Sequence, residues 1–506
     1  MSALDLDSLL DAPWLPRRAA LTPNADALSW PGGQGALTYA DLMARVEEAA
    51  LGLRGAGVEP GDCVAVILAS GPEFTVLFHA VQRCGAVLLP LNLRLSGREL
   101  ASQLEWVRPR VLVHAAGDER IAGVAKGAGV PAAVISSSAD ARVEIDTAHS
   151  EPSTTSLCER LDPEAPAAYL FTSGTAGAPK AAVLSLRAFT SSACASASML
   201  GVLPDDEWLA CMPLFHVAGL SILSRSVLAG TSVRIHSGFD VAAVVRDLEG
   251  GRASQISLVA TMLQRLLEVR GEKRSPDRLR TLLLGGGPCA ASVLERAIEL
   301  GYPVAPTYGL TEACSQVATR LPSDESLPLH AGLRALPGVE VRIADESSHL
   351  HPAVAEGEVA VRGDILMSGY LERSGVVRSA LRDSWFYTGD VGRLDAAGGL
   401  EILDRRDDLI ISGGENIAPA EIESVLQEHP SVLEAGVVGR SDAEFGARPV
   451  AFVVLREEPG CSEVSLLDFC AERLAGYKLP AEIVIRDQLP RTVAGKLQRA
   501  LLRSSL

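Results

Sequence analysis

A loop rich in glycine and hydroxylated residues lies between two apolar stretches and has the composition of a phosphate-binding site. Residues 172–180 read Thr-Ser-Gly-Thr-Ala-Gly-Ala-Pro-Lys. The glycines Gly174 and Gly177 allow tight turns that direct backbone N–H groups towards an anion. Three hydroxyl groups and one amine add further donors, those of Thr172, Ser173, Thr175 and Lys180. The spacing of these residues does not match a Walker P-loop. A loop of glycine and hydroxylated residues also occurs as an ordinary hairpin turn, so the assignment of residues 172–180 depends on the segments that follow.

Two later segments supply groups suited to a nucleotide and a divalent cation. Residues 282–288 read Leu-Leu-Leu-Gly-Gly-Gly-Pro, the pattern of a strand that runs into a glycine loop. Ligands of α/β sheets bind at this end of a strand, and the three glycines would let a flat purine and an acyl chain approach the backbone. Residues 307–312 then read Thr-Tyr-Gly-Leu-Thr-Glu, in which the carboxylate of Glu312 is a hard oxygen ligand of the kind that Mg²⁺ prefers.

Charged residues towards the end of the chain complete this set. Residues 387–390 read Tyr-Thr-Gly-Asp, and Asp390 offers a carboxylate to the hydroxyl groups of a ribose. Arg405 offers donors to the ribose or to a phosphate. Taken alone, an arginine in a charged stretch is usually an exposed ion pair, and a lone lysine such as Lys496 usually lies at the surface. The order of all these segments along one chain favours a shared site.

The elements that position these residues alternate between helices and short apolar strands. Helical periodicity over 40–55 and 73–85 alternates with apolar strands over 63–69 and 86–90. Similar alternation recurs at 110–114, 255–259, 281–284 and 304–307. This pattern predicts an α/β fold with parallel-rich sheets covered by helices.

A smaller unit follows a charged stretch at residues 404–408. Before it, residues 392–403 predict a hairpin, and after it the chain has strands and helices of its own. These features predict a large N-terminal domain, residues 1–404, and a small α+β C-terminal domain, residues 405–506.

Composition and charge exclude several classes of function. The 506 residues carry 46 Lys and Arg against 63 Asp and Glu, a formal net charge of −17, which argues against nucleic-acid binding. Nine cysteines lack the C-x-x-C spacing of metal or disulfide sites. No apolar run reaches the length of about 18 residues that a membrane span needs, and the first residues lack a signal-peptide pattern. We therefore expect a cytoplasmic protein without a membrane span. An oligomer is possible.

The motifs, in this order, resemble those of the adenylate-forming superfamily, which includes acyl- and aryl-CoA synthetases, peptide-synthetase adenylation domains and luciferases. The resemblance extends from about residue 19 to residue 503 and includes residues 404–423 and 489–496. It implies an enzyme that uses ATP and Mg²⁺ to convert a carboxylate into an acyl-adenylate and then transfers the acyl group to coenzyme A. The phosphate loop departs from the family pattern at Ala176 and Ala181, and Ala176 removes one hydroxyl group.

The resemblance also implies roles for matching residues. Tyr308 would pack on adenine, Thr311 would contact a phosphate and Glu312 would hold Mg²⁺. Lys496 would catalyse adenylation, with Lys180 beside the phosphates. The positions that match those for ATP and coenzyme A are Thr172, Ser173, Gly174, Thr175, Gly177, Lys180, Gly286, Gly287, Thr307, Tyr308, Gly309, Asp390, Arg405, Gly413 and Gly414.

A domain rotation is a further implication of the resemblance, since Lys496 lies in the small domain and the coenzyme A thiol must later reach the adenylate. The mobile C-terminal domain would turn about a hinge at Asp407. The turn would withdraw Lys496 and present Gly413 and Gly414 beside the pantetheine tunnel.

Within the superfamily, the chain is most similar to the o-succinylbenzoate–CoA ligases of menaquinone biosynthesis. Their substrate has a second carboxylate and a ketone, so its pocket should hold a cation or several donors. The candidate acyl-pocket residues are His216, Arg225, Gly285, Ser315 and Gln316.

Three alternatives remain open at this point. Aryl- and medium-chain acyl-CoA synthetases have similar motifs, and a stand-alone adenylation enzyme that loads a carrier protein would share the first half-reaction. Arg225 is as well explained by a solvent-facing position as by a role in the pocket.

Overall fold

The computed structural model describes residues 9–10, 12–31, 36–95, 97–137, 143–146, 156–172, 180–287, 289–322, 332–345, 347–352, 355–405, 410–412, 415–417, 419–442, 445–456, 461–474, 476–492 and 495–506.

Helices and strands alternate through most of the chain. The helices are α1 Trp14–Leu21, α2 Tyr39–Gly55, α3 Pro72–Arg83, α4 Gly97–Val107, α5 Glu119–Gly127, α6 Leu186–Leu200, α7 Val217–Ala229, α8 Val241–Glu249, α9 Ala260–Arg270, α10 Ala291–Glu299, α11 Pro419–Gln427, α12 Glu463–Ala471 and α13 Arg499–Arg503. The strands are β1 Asp26–Ser29, β2 Leu37–Thr38, β3 Cys63–Ile67, β4 Val87–Pro90, β5 Val111–Ala115, β6 Ala132–Ser137, β7 Val143–Asp146, β8 Pro166–Thr172, β9 Lys180–Ser185, β10 Glu207–Ala210, β11 Ser232–Ile235, β12 Gln255–Leu258, β13 Thr281–Leu284, β14 Val304–Leu310, β15 Ser315–Thr319, β16 Arg334–Ala335, β17 Glu340–Ala344, β18 Leu350–His351, β19 Ala355–Arg362, β20 Gly369–Leu371, β21 Val377–Arg378, β22 Phe386–Leu394, β23 Leu400–Arg405, β24 Ile410–Ser412, β25 Glu415–Ile417, β26 Val432–Asp442, β27 Gly446–Leu455 and β28 Glu482–Ile485.

Two nine-stranded sheets form the larger part of the fold. Their strand orders are β16-β15-β14-β13-β12-β10-β11-β1-β2 and β21-β20-β9-β8-β4-β3-β5-β6-β7. The central strands of each sheet are parallel and the outer strands are antiparallel. Strands β4, β12 and β13 are buried at every position, as expected for strands covered on both faces. The predicted parallel-rich α/β architecture is confirmed.

A third sheet and a small C-terminal unit complete the fold. The third sheet has the order β18-β17-β19-β22-β23, and its β22–β23 pair is the predicted hairpin. The C-terminal unit has the order β25-β24-β27-β26, with β28 beside β27, and a core of its own that extends from Ile410 to Ile483. The predicted small α+β domain is therefore present. Its exact first residue, placed after residue 404, stays a prediction, since β23 runs on to Arg405.

Local sequence explains where several elements begin. Helix α2 starts at a capping box, in which the Thr38 hydroxyl accepts a hydrogen bond from the Asp41 N–H and the Asp41 carboxylate accepts one from the Thr38 N–H. The helices predicted over 40–55 and 73–85 and the strands predicted over 63–69 and 86–90 agree with α2, α3, β3 and β4 within a few residues. Within the described residues, no helix is both long and apolar enough to span a membrane.

A buried carboxylate ties together the loops that precede β10, β12 and β13. Asp206 is 2% exposed and accepts hydrogen bonds from Arg280 Nε at 2.7 Å and Ser254 Oγ at 2.8 Å. Burial raises the pKa of Asp206, but the hydrogen bonds from Arg280, the Leu203 N–H and Ser254 outweigh it, and the net pKa lies below its ordinary value. The charged pair therefore stabilises the fold only where Asp206 is ionised.

Replacement of Arg280 by methionine should reduce stability in a pH-dependent way. Arg280→Met leaves Asp206 buried without its cation, which should cost about 3 kcal/mol in the free energy of unfolding at pH 7. Because the folded pKa is lowered, this loss should begin to shrink below about pH 4 and disappear only as the pH falls through the folded pKa of Asp206, below which the carboxyl group is protonated in both states. Urea denaturation at pH 7 and at a pH below the folded pKa of Asp206 measures this loss of stability. Arg278→Met, at an exposed ion pair with Asp205, is the control. Equal effects of the two variants would contradict the assignment.

Candidate functional site

The parallel strands of the first sheet end at one edge, and their following loops form the floor of the candidate site. Leu258 pairs with Leu284, and Leu284 pairs with Pro306, so β12, β13 and β14 reach this edge together. Gly286 has a φ of +83°, and a methyl group added there would lie 2.9 Å from Val259 Cγ1. Glycine is therefore required at this turn, and the contact of residues 285–287 with a ligand stays a prediction.

A tight approach of β14 to β15 shapes the next segment. A methyl group added at Gly309 would lie 1.8 Å from the carbonyl oxygen of Ser315, so only glycine fits at this position. Cys314 and Ser315 have φ values of +51° and +101°, which non-glycine residues rarely adopt. Between them and β14, Thr311–Ala313 forms a single 3₁₀ turn that holds Thr311 and Glu312. Backbone strain of this kind persists where the surrounding structure enforces it, and it is common at binding sites.

The residues predicted for adenine and ribose contact each other. Tyr308 Oη donates a hydrogen bond to Asp390 Oδ2 at 2.6 Å, and Asp390 is 6% exposed. The Asp390 N–H donates to Thr388 Oγ1 at 3.1 Å. Arg405 is the strand neighbour of Asp390 in the β22–β23 pair. The structure thus brings Tyr308, Asp390 and the backbone of Arg405 together from two different sheets.

Only the two ends of the predicted phosphate loop lie among the described residues. Thr172 ends β8 and Lys180 begins β9, and these two residues pair across the strands. Ser173, Gly174, Thr175 and Gly177 lie outside the described residues.

Tyr370, which lies in none of the sequence motifs, connects the phosphate loop to the predicted magnesium ligand. Lys180 Nζ lies 5.0 Å from the centroid of the Tyr370 ring. Tyr370 Oη donates a hydrogen bond to Glu312 Oε1 at 2.8 Å. The sequence signal was weak, because Tyr370 lies in the three-residue strand β20, far along the chain from both partners.

Glu312 fits the role of a magnesium ligand. Within the described part of the chain, its Oε2 atom accepts no hydrogen bond, while Oε1 is held by Tyr370. The same part of the chain contains no group of three or more His, Cys, Asp or Glu side chains that could hold a metal by themselves. Mg²⁺ is commonly bound by one or two carboxylates together with substrate phosphates and water. A single carboxylate beside the phosphate loop is therefore a suitable donor set.

His216 lies at the start of α7 with one ring nitrogen unsatisfied. It occupies the N-cap position, and its Nε2 atom is buried without a hydrogen-bond partner among the described residues. Burial, with a smaller effect of the Arg94 charge, lowers the pKa of His216 to about 4. The imidazole is therefore neutral at pH 7. A neutral ring suits the wall of a pocket for an organic acid better than it suits an ion pair with the carboxylate of that acid.

Arg225 is buried, so the alternative of a solvent-facing residue is wrong. Its side chain is 5% exposed, Nη2 donates to Ser315 Oγ at 3.1 Å, and the guanidinium carbon lies 5.5 Å from the Trp208 ring centroid. Burial lowers the pKa of Arg225 to about 10, which still leaves it charged at pH 7. Its Nε atom has no partner among the described residues. A buried cation with spare donors beside Ser315 can receive a carboxylate.

Gln316 belongs to a buried hydrogen-bond network. It is 1% exposed, its Oε1 accepts from Ser196 Oγ at 2.7 Å, and its Nε2 donates to Thr319 Oγ1 at 3.0 Å. Thr319 Oγ1 also shares a hydrogen bond of 2.8 Å with Thr307 Oγ1. Both Gln316 groups are thus used within the protein, and the network supports β14 and β15 beneath the site.

Lys496 lies in a turn of the C-terminal unit that faces the first sheet. The Thr492 N–H donates to the Lys496 carbonyl at 2.7 Å, and Gly495 has a φ of +81°. A methyl group added at Gly495 would lie 3.9 Å from Thr261 Oγ1, at the start of α9. Helix α9 follows β12, so the lysine turn lies opposite the same sheet edge. Asp407, Gly413 and Gly414 lie outside the described residues.

Known proteins match the chain over nearly its full length. The AMP-binding enzyme family matches residues 15–371, and the AMP-binding enzyme C-terminal domain matches residues 421–496. The 2-succinylbenzoate–CoA ligase of Geobacillus kaustophilus (strain HTA426) is 41% identical over 490 residues, which are 97% of each protein. The o-succinylbenzoate CoA synthetase of Bacillus subtilis in complex with its acyl-adenylate intermediate is 36% identical, with a TM-score of 0.88 over 97% of this chain and 98% of that one. The same enzyme in complex with ATP and magnesium has a TM-score of 0.86 at 36% identity, over 98% of this chain and 99% of that one.

A methyl group at Gly309 should disturb both the strand pair and the site. Gly309→Ala must push β14 away from Ser315, which should cost about 1–3 kcal/mol of unfolding free energy and displace Tyr308 and Thr311. We expect a lower melting temperature and weaker ATP binding by calorimetry. Gly238→Ala is the control, because a methyl group there contacts nothing within 4 Å. Normal ATP binding by Gly309→Ala would show that this close approach does not shape the site.

Proposed function

The chain belongs to the AMP-binding enzymes, and from this premise we propose that it ligates 2-succinylbenzoate to coenzyme A at the expense of ATP. The observation that carries the proposal is the 41% identity to a 2-succinylbenzoate–CoA ligase along 97% of both proteins. The products would be 2-succinylbenzoyl-CoA, AMP and pyrophosphate. This activity agrees with the place in menaquinone biosynthesis that the sequence motifs imply.

The first half-reaction joins the acid to AMP. A carboxylate oxygen attacks the α-phosphorus of ATP, and the bond to the β-phosphate oxygen breaks so that pyrophosphate leaves. Lys496 would lie between the attacking carboxylate and the α-phosphate, where its charge offsets their repulsion. Lys180 and the donors of residues 172–175 would hold the departing phosphates. Mg²⁺ held by Glu312 would neutralise charge on the phosphates as they separate.

Nucleotide binding would use the contacts between the sheets. The Tyr308 ring would pack on adenine, and Asp390 would accept hydrogen bonds from the ribose hydroxyls, with Arg405 beside it on the neighbouring strand. The Tyr308–Asp390 hydrogen bond supports this arrangement, because it fixes the tyrosine ring and the carboxylate relative to each other before ATP binds. Thr311 and the loop of Gly286 and Gly287 would contact the phosphate and base.

The second half-reaction transfers the acyl group to sulfur. The coenzyme A thiolate attacks the acyl carbon, and AMP leaves with the oxygen that formed the mixed anhydride. Rotation of the C-terminal unit about Asp407 would remove Lys496 from the site and bring Gly413 and Gly414 to the thiol tunnel. Domain closures of this kind commonly limit turnover. The separate core of the C-terminal unit supports the proposal, since it allows the unit to move as one body.

Arg225 would select the dicarboxylic acid. The reacting carboxylate must lie near Lys496, so the other carboxylate of 2-succinylbenzoate requires a second cation. Arg225 is charged, buried and hydrogen-bonded to Ser315, and it follows His216 on α7. Gly285 and His216 would line the remaining pocket. Gln316 would support Ser315 from the buried side, a role that its hydrogen bonds to Ser196 and Thr319 favour over contact with the substrate.

A cytoplasmic location is also part of the proposal. None of the nine cysteines, all of which lie among the described residues, forms a disulfide bond, which is the usual state in a reducing compartment. Cell fractionation with an antibody to the protein would test the location.

A substrate panel tests the proposed acid. CoA-dependent AMP formation would be measured with 2-succinylbenzoate, benzoates and medium-chain fatty acids. We expect a strong preference for 2-succinylbenzoate, and Arg225→Met should lower its kcat/KM about 10–100-fold while ATP binding is unchanged, since a hydrogen-bonded charge pair is lost. A preference for a monocarboxylate would exclude the proposed acid. Pyrophosphate release without a CoA thioester would indicate a carrier-protein acceptor.

Replacement of Lys496 should separate the two half-reactions. Lys496→Ala should abolish pyrophosphate release, because no cation then offsets the repulsion between carboxylate and α-phosphate. Thioester formation from supplied 2-succinylbenzoyl-adenylate should persist. Lys126→Ala, at an exposed lysine on α5, is the matched control and should retain both rates. Equal loss of both half-reactions in Lys496→Ala would refute the assigned role.

A further inference from the structure

One side chain contacts both the cation of the phosphate loop and the predicted magnesium ligand. The hydroxyl of Tyr370 donates to Glu312 Oε1 at 2.8 Å, and the amine of Lys180 lies 5.0 Å from the centroid of its ring. Lys180 and Glu312 carry opposite charges but form no ion pair with each other in the structure. Tyr370 lies between them and uses a different part of its side chain for each.

Backbone pairing fixes Tyr370 in this position. Tyr370 lies opposite Ala182 on β9, the strand that begins with Lys180. Three residues before Tyr370, the Met367 N–H donates to the carbonyl oxygen of Glu312 at 2.8 Å. The segment around β20 is thus bonded to both elements whose charges meet at the tyrosine.

The chemistry of the phenol suits a group that keeps two opposite charges apart. The Tyr370 hydroxyl is the donor in its 2.8 Å hydrogen bond to Glu312 Oε1, because an ionised carboxylate can only accept. A donor on Oε1 orients the carboxylate and leaves Oε2 for another partner. The face of the ring attracts the ammonium group of Lys180 without neutralising its charge.

We propose that Tyr370 is a positioning residue that prevents Lys180 and Glu312 from pairing with each other and so keeps both for Mg²⁺-bound ATP. A direct pair would occupy the carboxylate that the metal needs and the amine that the phosphates need. This inference rests on the proposed function, since it assigns Lys180 and Glu312 to the same nucleotide. Tyr370 itself makes no contact with the reacting atoms in this account.

Two variants separate the two contacts of Tyr370. Tyr370→Phe keeps the ring and removes the hydroxyl, so the Mg²⁺ concentration that gives half-maximal ATP binding should rise about 10-fold. Tyr370→Leu removes both contacts and should in addition weaken ATP binding when Mg²⁺ is saturating. Both would be measured by isothermal titration calorimetry of the full chain with ATP at a series of Mg²⁺ concentrations. The KM for the acid and the rate of thioester formation from supplied acyl-adenylate should be unchanged.

Tyr302→Phe is the matched control. Its hydroxyl is buried and has no hydrogen-bond partner among the described residues, so its loss should not affect Mg²⁺ dependence. Melting temperatures of all three variants identify any general loss of stability.

The proposal fails if Tyr370→Phe and Tyr302→Phe require the same Mg²⁺ concentration as the unaltered protein. It also fails if Tyr370→Phe slows both half-reactions equally in step with a lower melting temperature, which would indicate a role in stability alone. Failure of the proposed function has a different signature. In that case the unaltered protein would bind ATP with Mg²⁺ but release no pyrophosphate with any acid of the panel.

Discussion

The shared edge of three parallel strands is the constraint on which the site depends. Parallel strands that are paired in register end side by side. The loops after β12, β13 and β14 therefore lie next to each other at one edge of the sheet. Thr261, Gly286 and Glu312 come to one surface for this reason. The close contact between Gly309 and Ser315 then fixes the direction in which the last of these loops leaves the sheet. Side chains from the other sheets complete a surface that the parallel strands have already placed.

Electrostatics explains how a few cations can bind an anionic ligand in a protein with a net charge of −17. Two of the candidate cations, Lys180 and Arg225, are held by partners that do not cancel their charge. Lys180 lies on an aromatic ring, and Arg225 is bonded to a hydroxyl and stacked near Trp208. Neutral partners of this kind orient a charge and leave it available for an anionic ligand, whereas a carboxylate partner would satisfy it in advance.

Local patterns predicted the parts of the fold that depend on local physics. Hydrophobic periodicity located α2, α3, β3 and β4. The order of glycine and hydroxyl motifs predicted a nucleotide site, and that assignment stays a prediction. Long-range contacts were beyond such reasoning. Tyr370 is separated from Lys180 by 190 residues, the difference 370 − 180, and only the β9–β20 pairing brings them together. Gln316 illustrates the converse, because its position in a motif suggested a ligand contact while its two hydrogen bonds place it in a buried network.

The transfer of an oxygen atom tests the central claim, that the enzyme activates its acid by joining it to AMP, most directly. 2-Succinylbenzoate labelled with ¹⁸O in its carboxylates would be converted with ATP and coenzyme A, and the AMP analysed by mass spectrometry. Attack by the carboxylate on the α-phosphorus leaves one substrate oxygen on AMP, so the account predicts AMP that carries a single ¹⁸O atom. Unlabelled AMP, or label in pyrophosphate or inorganic phosphate, would contradict it.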